Sequence, residues 1–277
     1  MLTAAAGVPD LVAAETAAEL GAGAPRRLAA SAVEIALAGP LPADFGLRGV
    51  DVNVVPAEGR RKRLLIADMD STIIGVECID ELADFAGLKP QVAEITERAM
   101  RGELDFEAAL IGRVALLRGL PAETLQRCYA ERVRLNPGAR TLVRTMAGQG
   151  AGTALVSGGF SFFSERVAAA AGFARHRANR LEVREGVLTD EVGRPILGRA
   201  AKLAALREAA AEAGIGPEAV IAVGDGANDA DMVEAAGLGV AYHAKPALAA
   251  VADAVLAHSD LTALLALQGI GEEEWVA

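Results

Sequence analysis

The chain has 277 residues, a formal net charge of -10 at pH 7 and 52% hydrophobic residues, which suffices for one large core or two smaller ones. Aromatic residues make up only 4% and the basic residues are dispersed, so we expect no nucleic-acid surface. The two cysteines, Cys78 and Cys128, have neither the spacing of a disulfide framework nor that of metal ligands. They are predicted to be core thiols in a reducing, cytoplasmic compartment.

No segment of the sequence predicts targeting or membrane insertion. The N-terminus lacks a basic first region and is interrupted by Asp10 and Glu15, so it does not read as a signal peptide. The most apolar long stretch, residues 145–164, contains five glycines and several polar residues. We therefore predict a helix end, a strand and loops there, and no membrane partner.

The N-terminal segment is predicted to be a small α/β appendage. Asp10–Leu20 and Arg26–Leu37 have the apolar spacing of helices. Residues 49–56 alternate like an edge strand that ends at a proline. The polar, basic run at 58–63 then favours a boundary near residue 60, although a solvated entry to the next strand is the alternative.

From residue 64 onward, short apolar runs alternate with helical segments, which predicts an α/β fold with a doubly wound parallel sheet. Each run ends in Gly, Ser or Asp or lies close to such a residue, as expected where the carboxyl ends of strands bind ligands. Residues 179–192 alternate around a glycine turn and predict a β-hairpin. The predicted strands are LLIAD (64–68), TALVSGG (153–159), AVIAVGDG (219–226) and LGVAY (238–242).

A block of almost wholly helical sequence lies between the first two predicted core strands. An insertion at this point would cover the strand tips as a lid. We therefore predict an appendage at residues 1–60 and a core at 61–277, with a helical cap at about 76–135 inserted after the first core strand.

Two acids, Asp68 and Asp70, directly follow the first predicted strand. A carboxylate at a strand tip can attack phosphorus, and a second acid can protonate the leaving oxygen and then activate water. A calcium loop of the EF-hand type is excluded, because Ile73 and Ile79 stand where its glycine and its final acid should be. A phosphate-binding module without catalysis would have no need for both acids.

Three further features follow in chain order. Ser157 and Gly158 end the next strand, where a hydroxyl and backbone N–H groups can approach a phosphoryl oxygen, unless this is a plain turn. Lys202 lies near a helix start, where the macrodipole disfavours a cation, so it indicates an anionic ligand or else a solvated lysine. Asp225 ends the third strand and can bind Mg²⁺ together with Asp68, unless it belongs to a capping turn.

The combination and order of these motifs resemble the haloacid dehalogenase-like (HAD) phosphatase superfamily. Within the superfamily, the resemblance is to the phosphoserine phosphatase family and extends over about residues 64–260. It is carried by the segments 68–87, 95–110, 157–163 and 224–246, together with Arg113 and Lys202.

This resemblance implies a Rossmann-like core and an Mg²⁺-dependent phosphomonoesterase of serine biosynthesis, which hydrolyses O-phosphoserine through an aspartyl phosphate. A phosphatase or phosphotransferase for another small phosphate ester is the alternative. Asp68 would be the nucleophile and a metal ligand, and Asp70 the general acid and base that also lends its backbone carbonyl to the metal. Asp225 would be the remaining ligand.

The resemblance also implies the substrate-binding residues. Ser157, Gly158 and Lys202 would hold the phosphoryl oxygens, with Asn228 in support. Glu77 would bind the ammonium of phosphoserine, and Arg113 would bind its carboxylate through the bidentate fork of the guanidinium. Met100 and Phe106 would either form an apolar wall that excludes water or be an ordinary helical core pair.

Overall fold

A computed structural model describes residues 1–42, 44–100 and 103–277 of the chain. For residues 99 and 100 it describes the helical backbone but not the side chains. The part of the Met100 side chain in the predicted apolar wall, or in the alternative helical core pair, therefore lies outside the described part of the protein.

The N-terminal appendage consists of a four-stranded antiparallel sheet and one helix. The strand order is β2-β3-β1-β4. Leu2, Val8, Ala13 and Val33 form its small hydrophobic core. Its elements are β1 (Leu2–Thr3), α1 (Asp10–Glu19), β2 (Arg26–Ala29), β3 (Ala32–Glu34) and β4 (Asp51–Val52).

The prediction of a helix at Arg26–Leu37 is wrong, because this segment contains the hairpin β2–β3. Its Ala-rich apolar spacing is compatible with either structure. The decision comes from nonlocal contacts: β3 pairs with β1 through Val33, and Leu28 and Ala29 pack with Ala266 of the core. Packing against cross-strand neighbours outweighs the local pattern here.

The core contains one parallel sheet of six strands in the order β12-β11-β10-β5-β6-β7. The hairpin predicted at residues 179–192 is present as the separate pair β8–β9. The predicted α/β class with a parallel sheet is thus confirmed. The strands are β5 (Leu64–Ala67), β6 (Gly152–Phe160), β7 (Arg175–Asn179), β8 (Leu181–Arg184), β9 (Val187–Val192), β10 (Val220–Gly224), β11 (Leu238–Tyr242) and β12 (Ala254–Leu256).

In the described part of the chain, four helices form a cap between β5 and β6, and six more belong to the core. The segments that lead into and out of the cap lie side by side, because Ile74 and Leu135 form an isolated antiparallel β-bridge. The limits of the appendage and of the cap given above stay predictions. The cap helices are α2 (Cys78–Phe85), α3 (Lys89–Met100), α4 (Phe106–Leu116) and α5 (Glu123–Arg132). The core helices are α6 (Ala139–Gly148), α7 (Ser161–Ala171), α8 (Arg199–Glu212), α9 (Ala230–Ala235), α10 (Pro246–Ala249) and α11 (Ala263–Leu267).

Strand β5 lies at the centre of the sheet and is buried on both faces. Leu65 and Ala67 belong to one hydrophobic cluster, and Leu64 and Ile66 to the other, as the alternation of side chains along a strand requires. From β5 the chain adds β6 and β7 on one side, and β10, β11 and β12 on the other. A crevice therefore forms at the carboxyl ends of β5 and β10, where such sheets bind ligands.

Residues 145–164 contain the end of α6, all of β6 and the start of α7. This division into a helix end, a strand and a further helix start is consistent with the glycine-rich sequence. Among the helices that the structure describes, none combines the length and the apolar character needed to cross a bilayer.

Candidate active site

The tip of β5 carries a buried ion cluster. Asp68 follows β5 directly, and its backbone N–H donates to the carbonyl of Val223 in β10 at 3.0 Å. The Nζ atom of Lys202, in the first turns of α8, lies 2.7 Å from Asp68 Oδ1 and 2.5 Å from Asp229 Oδ1. The side chains of Lys202 and Asp229 are fully buried, and that of Asp68 nearly so. Two strand tips and a helix thus bring one ammonium between two carboxylates.

Burial disfavours the charged forms of the side chains in this cluster. Burial lowers the pKa of Lys202, but Asp68 and Asp229 more than offset this effect and leave the pKa raised. Burial raises the pKa of Asp68, and repulsion from Asp229 raises it further in spite of Lys202. The ammonium therefore stays charged, whereas Lys202 does not offset the burial of Asp68 and its repulsion from Asp229. A buried cluster of this kind favours an additional cation.

Asp70 occupies a separate hydrogen-bonding position beside Asp68. Its Oδ1 accepts from the backbone N–H of Cys78 at 2.9 Å, and its Oδ2 accepts from Ser157 Oγ at 3.2 Å. Burial, followed by repulsion from Glu77, raises the pKa of Asp70 to about 7. Such a carboxyl exchanges a proton readily at neutral pH, as a general acid and base must.

We expect the substitution Asp70→Asn to change how the stability of the metal-free protein depends on pH. The folded-state pKa of about 7 exceeds the ordinary value of 3.8. The neutral carboxyl therefore contributes stability that is fully present below the unfolded-state pKa and is lost as the pH rises through the folded-state pKa. The variant has no such proton to lose. As the pH rises from the unfolded-state pKa to the folded-state pKa, its free energy of unfolding should therefore increase relative to that of the wild type, by up to ~4 kcal/mol.

Urea unfolding in the presence of EDTA, at several pH values between those two pKa values, measures this difference. Asp10→Asn serves as the control, because the Asp10 carboxylate is 94% exposed. A stability difference between Asp70→Asn and wild type that stays constant with pH would contradict the environment assigned to Asp70.

The acids at the strand tips suit a hard divalent cation. One oxygen each of Asp68, Asp225 and Asp229 lie within 4.8 Å of one another, and all three residues are buried. Burial, followed by repulsion from Asp229, raises the pKa of Asp225 to about 6. Thr72 Oγ1 donates to Asp225 Oδ1 at 3.3 Å and orients this carboxylate. Three carboxylates against one ammonium provide the oxygen ligands and the negative charge that a hard divalent cation requires.

The sequence shows Asp229 at a D-x-x-x-D spacing from Asp225, but this spacing predicts no site role for Asp229. The structure places Asp229 at the end of a 3₁₀ turn, Ala227–Asp229. This turn directs its carboxylate inward, where Oδ2 accepts from the backbone N–H of Gly226 at 3.1 Å. Asn228 in the same turn is half-buried.

The carboxyl end of β6 forms a tight loop against Asp70. Ser157 Oγ, which donates to Asp70, accepts from the backbone N–H of Gly159 at 2.8 Å. A Cβ atom on Gly159 would lie 2.5 Å from Asp70 Oδ2, so only glycine fits this close approach. A Cβ atom on Gly158 would lie 3.0 Å from Cζ of Phe106. The cap residue Phe106 therefore packs directly on the loop predicted to bind phosphate.

Glu77 and Arg113 extend from the cap toward the same acids. Glu77 is exposed and accepts a hydrogen bond from Ser71 Oγ at 2.6 Å. Arg113 is half-buried in α4. Burial lowers the pKa of Arg113, and attraction by Asp80, Glu77 and Asp70 opposes the shift. Glu77 and Arg113 are thus close enough to act electrostatically on each other and on Asp70.

A parallel α/β sheet, a helical cap and paired acids at two adjacent strand tips together define a hydrolase of the HAD type. The sequence model of the haloacid dehalogenase-like hydrolase family matches residues 65–234. The chain belongs to this family.

Three similar proteins show how far the likeness extends. The phosphoserine phosphatase of Archaeoglobus fulgidus is 45% identical over 218 residues, which cover 78% of this chain and 63% of that protein. The crystal structure of a HAD-family hydrolase from Salmonella enterica serovar Typhi has a TM-score of 0.83 at 30% identity, covering 96% of this chain and 97% of the other. A substrate-bound phosphoserine phosphatase complex has a TM-score of 0.70 at 38% identity, with 74% and 98% covered. The chain spans between 52% and 63% of the first three curated relatives that it matches.

Proposed function

We propose that the chain is an Mg²⁺-dependent phosphomonoesterase that hydrolyses O-phosphoserine to serine and phosphate, the last step of serine biosynthesis. The observation that carries the proposal is the pair of buried acids at the tip of β5. Asp68 is held by Lys202 at 2.7 Å, and Asp70 has a pKa of about 7. One acid is thus placed for nucleophilic attack and the other for proton transfer.

In the proposed first step, a carboxylate oxygen of Asp68 attacks phosphorus and the bond from phosphorus to the serine oxygen breaks. Lys202 Nζ and the backbone N–H of Met69 both contact Oδ1, so we assign the attack to Oδ2. Protonated Asp70 gives its proton to the leaving serine oxygen. In the second step, ionised Asp70 takes a proton from water, whose oxygen attacks phosphorus and releases Asp68 and phosphate.

The phosphoryl oxygens are proposed to contact Ser157 Oγ, the backbone N–H of Gly158 and the Lys202 ammonium, with Asn228 in support. The loop geometry supports this assignment, because the Ser157 hydroxyl is buried beside Asp70. Charged and backbone donors fixed in a dry site stabilise developing charge without reorganising during the reaction.

Mg²⁺ would be held by the Asp68 and Asp225 carboxylates and the Asp70 backbone carbonyl, with Asp229 as a further acid near the ion. When bound, the ion supplies positive charge against the phosphoryl oxygens. Asp229 also keeps Lys202 in place, because the Lys202 ammonium lies 2.5 Å from Asp229 Oδ1. Asp229 would thus act both on the ion and on Lys202, in addition to the three acids Asp68, Asp70 and Asp225.

Specificity for phosphoserine is proposed to come from the cap. Glu77 offers a carboxylate for the substrate ammonium, and Arg113 offers a guanidinium for the substrate carboxylate. The names of several relatives support this choice, since proteins 43–48% identical to this chain are called phosphoserine phosphatases.

Release of phosphate from phosphoserine, with and without Mg²⁺, tests the proposal. Phosphothreonine and a sugar phosphate are the comparison substrates, and added glycerol reports phosphoryl transfer to another alcohol. We expect Mg²⁺-dependent turnover that favours phosphoserine and yields free phosphate. Faster turnover of the sugar phosphate, or transfer to glycerol in place of hydrolysis, would instead support the alternative HAD enzyme.

A cytoplasmic location is part of the proposal. Cys78 and Cys128 are free and buried, a state that a reducing compartment maintains. Recovery of the protein mainly from a secreted or periplasmic fraction would contradict it.

A further inference from the structure

The appendage is joined to the core by a buried side-chain amide. Asn53, which follows β4, donates from Nδ2 to the carbonyl of Val255 at 3.0 Å and accepts at Oδ1 from the N–H of Val255 at 2.8 Å. Asn53 is 6% exposed. Val255 is the middle residue of the edge strand β12. The amide therefore pairs with β12 in the way that the backbone of a neighbouring strand would.

A buried carboxylate, Asp51 of β4, fixes the turn that follows β12. Asp51 Oδ1 accepts from the N–H of Ala257 at 2.9 Å, and Asp51 Oδ2 accepts from the N–H of His258 at 3.0 Å. The hydroxyl of Ser259 donates to Oδ2 at 2.6 Å. Hydrogen bonds to an ionised acceptor are stronger than neutral ones, so this carboxylate holds three consecutive residues in one conformation.

Strand β12 in turn supports a loop that reaches the active site. The carbonyl of Leu256 accepts from the N–H of His243 at 2.8 Å, and the N–H of Lys245 donates to the carbonyl of Asp225 at 2.9 Å. His243 has a φ of +44°, a left-handed conformation that costs energy in a residue with a side chain. Such a conformation persists only where the surrounding contacts hold it.

We propose that Asp51 and Asn53 are positioning residues for Asp225. They brace β12, a strand of three residues that would otherwise be an open sheet edge. The braced strand holds the His243–Lys245 loop, which fixes the backbone of Asp225. The appendage is thus a structural support of the metal-binding strand tip. This inference rests on the proposed role of Asp225 in Mg²⁺ binding, and it does not depend on the identity of the substrate.

The test compares Asn53→Ala with Val54→Ala in the full-length protein. Val54 is adjacent and 59% exposed, so its truncation is the matched control. Hydrogen exchange should become at least about tenfold faster at residues 243–245 and 254–259 in Asn53→Ala only. Calorimetric titration with Mg²⁺ should show a dissociation constant raised ~3- to 10-fold in the same variant. A brace that stabilises β12 without reaching Asp225 would leave the dissociation constant unchanged.

If Asn53→Ala does not fold, Asn53→Ser replaces it, because Ser keeps a short polar side chain without adding a buried charge. Unchanged exchange at β12 would overturn the brace. Faster exchange with an unchanged Mg²⁺ dissociation constant would overturn the link to Asp225. Neither readout requires turnover, so a failure to hydrolyse phosphoserine would count against the proposed function alone.

Discussion

The substitution Asp68→Asn is expected to reduce kcat by more than about 100-fold, a rise in the barrier of ~3 kcal/mol or more. An amide cannot act as the proposed attacking carboxylate, and the substitution also removes a proposed metal ligand. The variant should still fold, because the Asp68 carboxylate lies in a site whose buried acids repel one another. In the metal-free protein, its melting temperature should therefore equal or exceed that of the wild type.

Single-turnover and steady-state assays with phosphoserine measure this loss, and Asp10→Asn, far from the site in the appendage, is the control. An Asp68→Asn enzyme that retained more than about a hundredth of wild-type kcat would count against covalent catalysis by Asp68.

The substitution Asp70→Asn provides a second comparison, since it leaves the proposed nucleophile in place and removes the proposed proton carrier. We expect it to lower turnover on the order of 10²- to 10⁴-fold. It should also trap phosphoenzyme if hydrolysis of the phosphoenzyme is slowed more than its formation.

The core strands could be predicted because their signals are local. β5 reads as a continuous apolar run that ends in Asp68, and a parallel sheet brings such ends to one edge. The sequence therefore predicts that Asp68, Ser157 and Asp225 lie at one edge of the sheet, and the strand order, in which β5 lies between β6 and β10, makes their strand tips neighbours. Asp229 is different, because its direction depends on the 3₁₀ turn at Ala227–Asp229, which spacing does not reveal.

Contacts between distant parts of the chain could not be predicted from local patterns. Asn53 and Val255 are separated by 202 positions, and no motif marks either residue. The same limitation explains the error at Arg26–Leu37, where pairing between β1 and β3 outweighs helical spacing. The proposed support of Asp225 by the appendage therefore rests on contacts that the sequence does not reveal.

The environment of Arg113 was also not visible in the sequence. In the fold, three acids, Asp80, Glu77 and Asp70, attract this guanidinium. Burial raises the pKa of Asp80, repulsion from Glu77 adds to the shift, and Arg113 opposes it. Arg113 Nε donates a hydrogen bond to the carbonyl of Ala109 at 3.3 Å, whereas these acids act on the guanidinium through charge. In the proposed complex, the substrate carboxylate would add to the negative charge around the guanidinium, and the substrate ammonium would offset the repulsion between Glu77 and the other acids.

The substitution Arg113→Ala is therefore expected to lower kcat/KM for phosphoserine by at least about 100-fold, or ~3 kcal/mol, because a charged bidentate contact is lost. Phosphoethanolamine has the ammonium and the phosphate but no carboxylate, so its kcat/KM should fall far less. Arg113→Lys keeps the charge without the planar fork, and it should recover part of the phosphoserine activity. Steady-state measurement of kcat/KM for phosphoserine and phosphoethanolamine, with the wild type, Arg113→Ala and Arg113→Lys, tests these expectations. An equal fall for phosphoserine and phosphoethanolamine in Arg113→Ala would mean that Arg113 maintains the cap through Asp80 and Glu77 and does not read the substrate carboxylate.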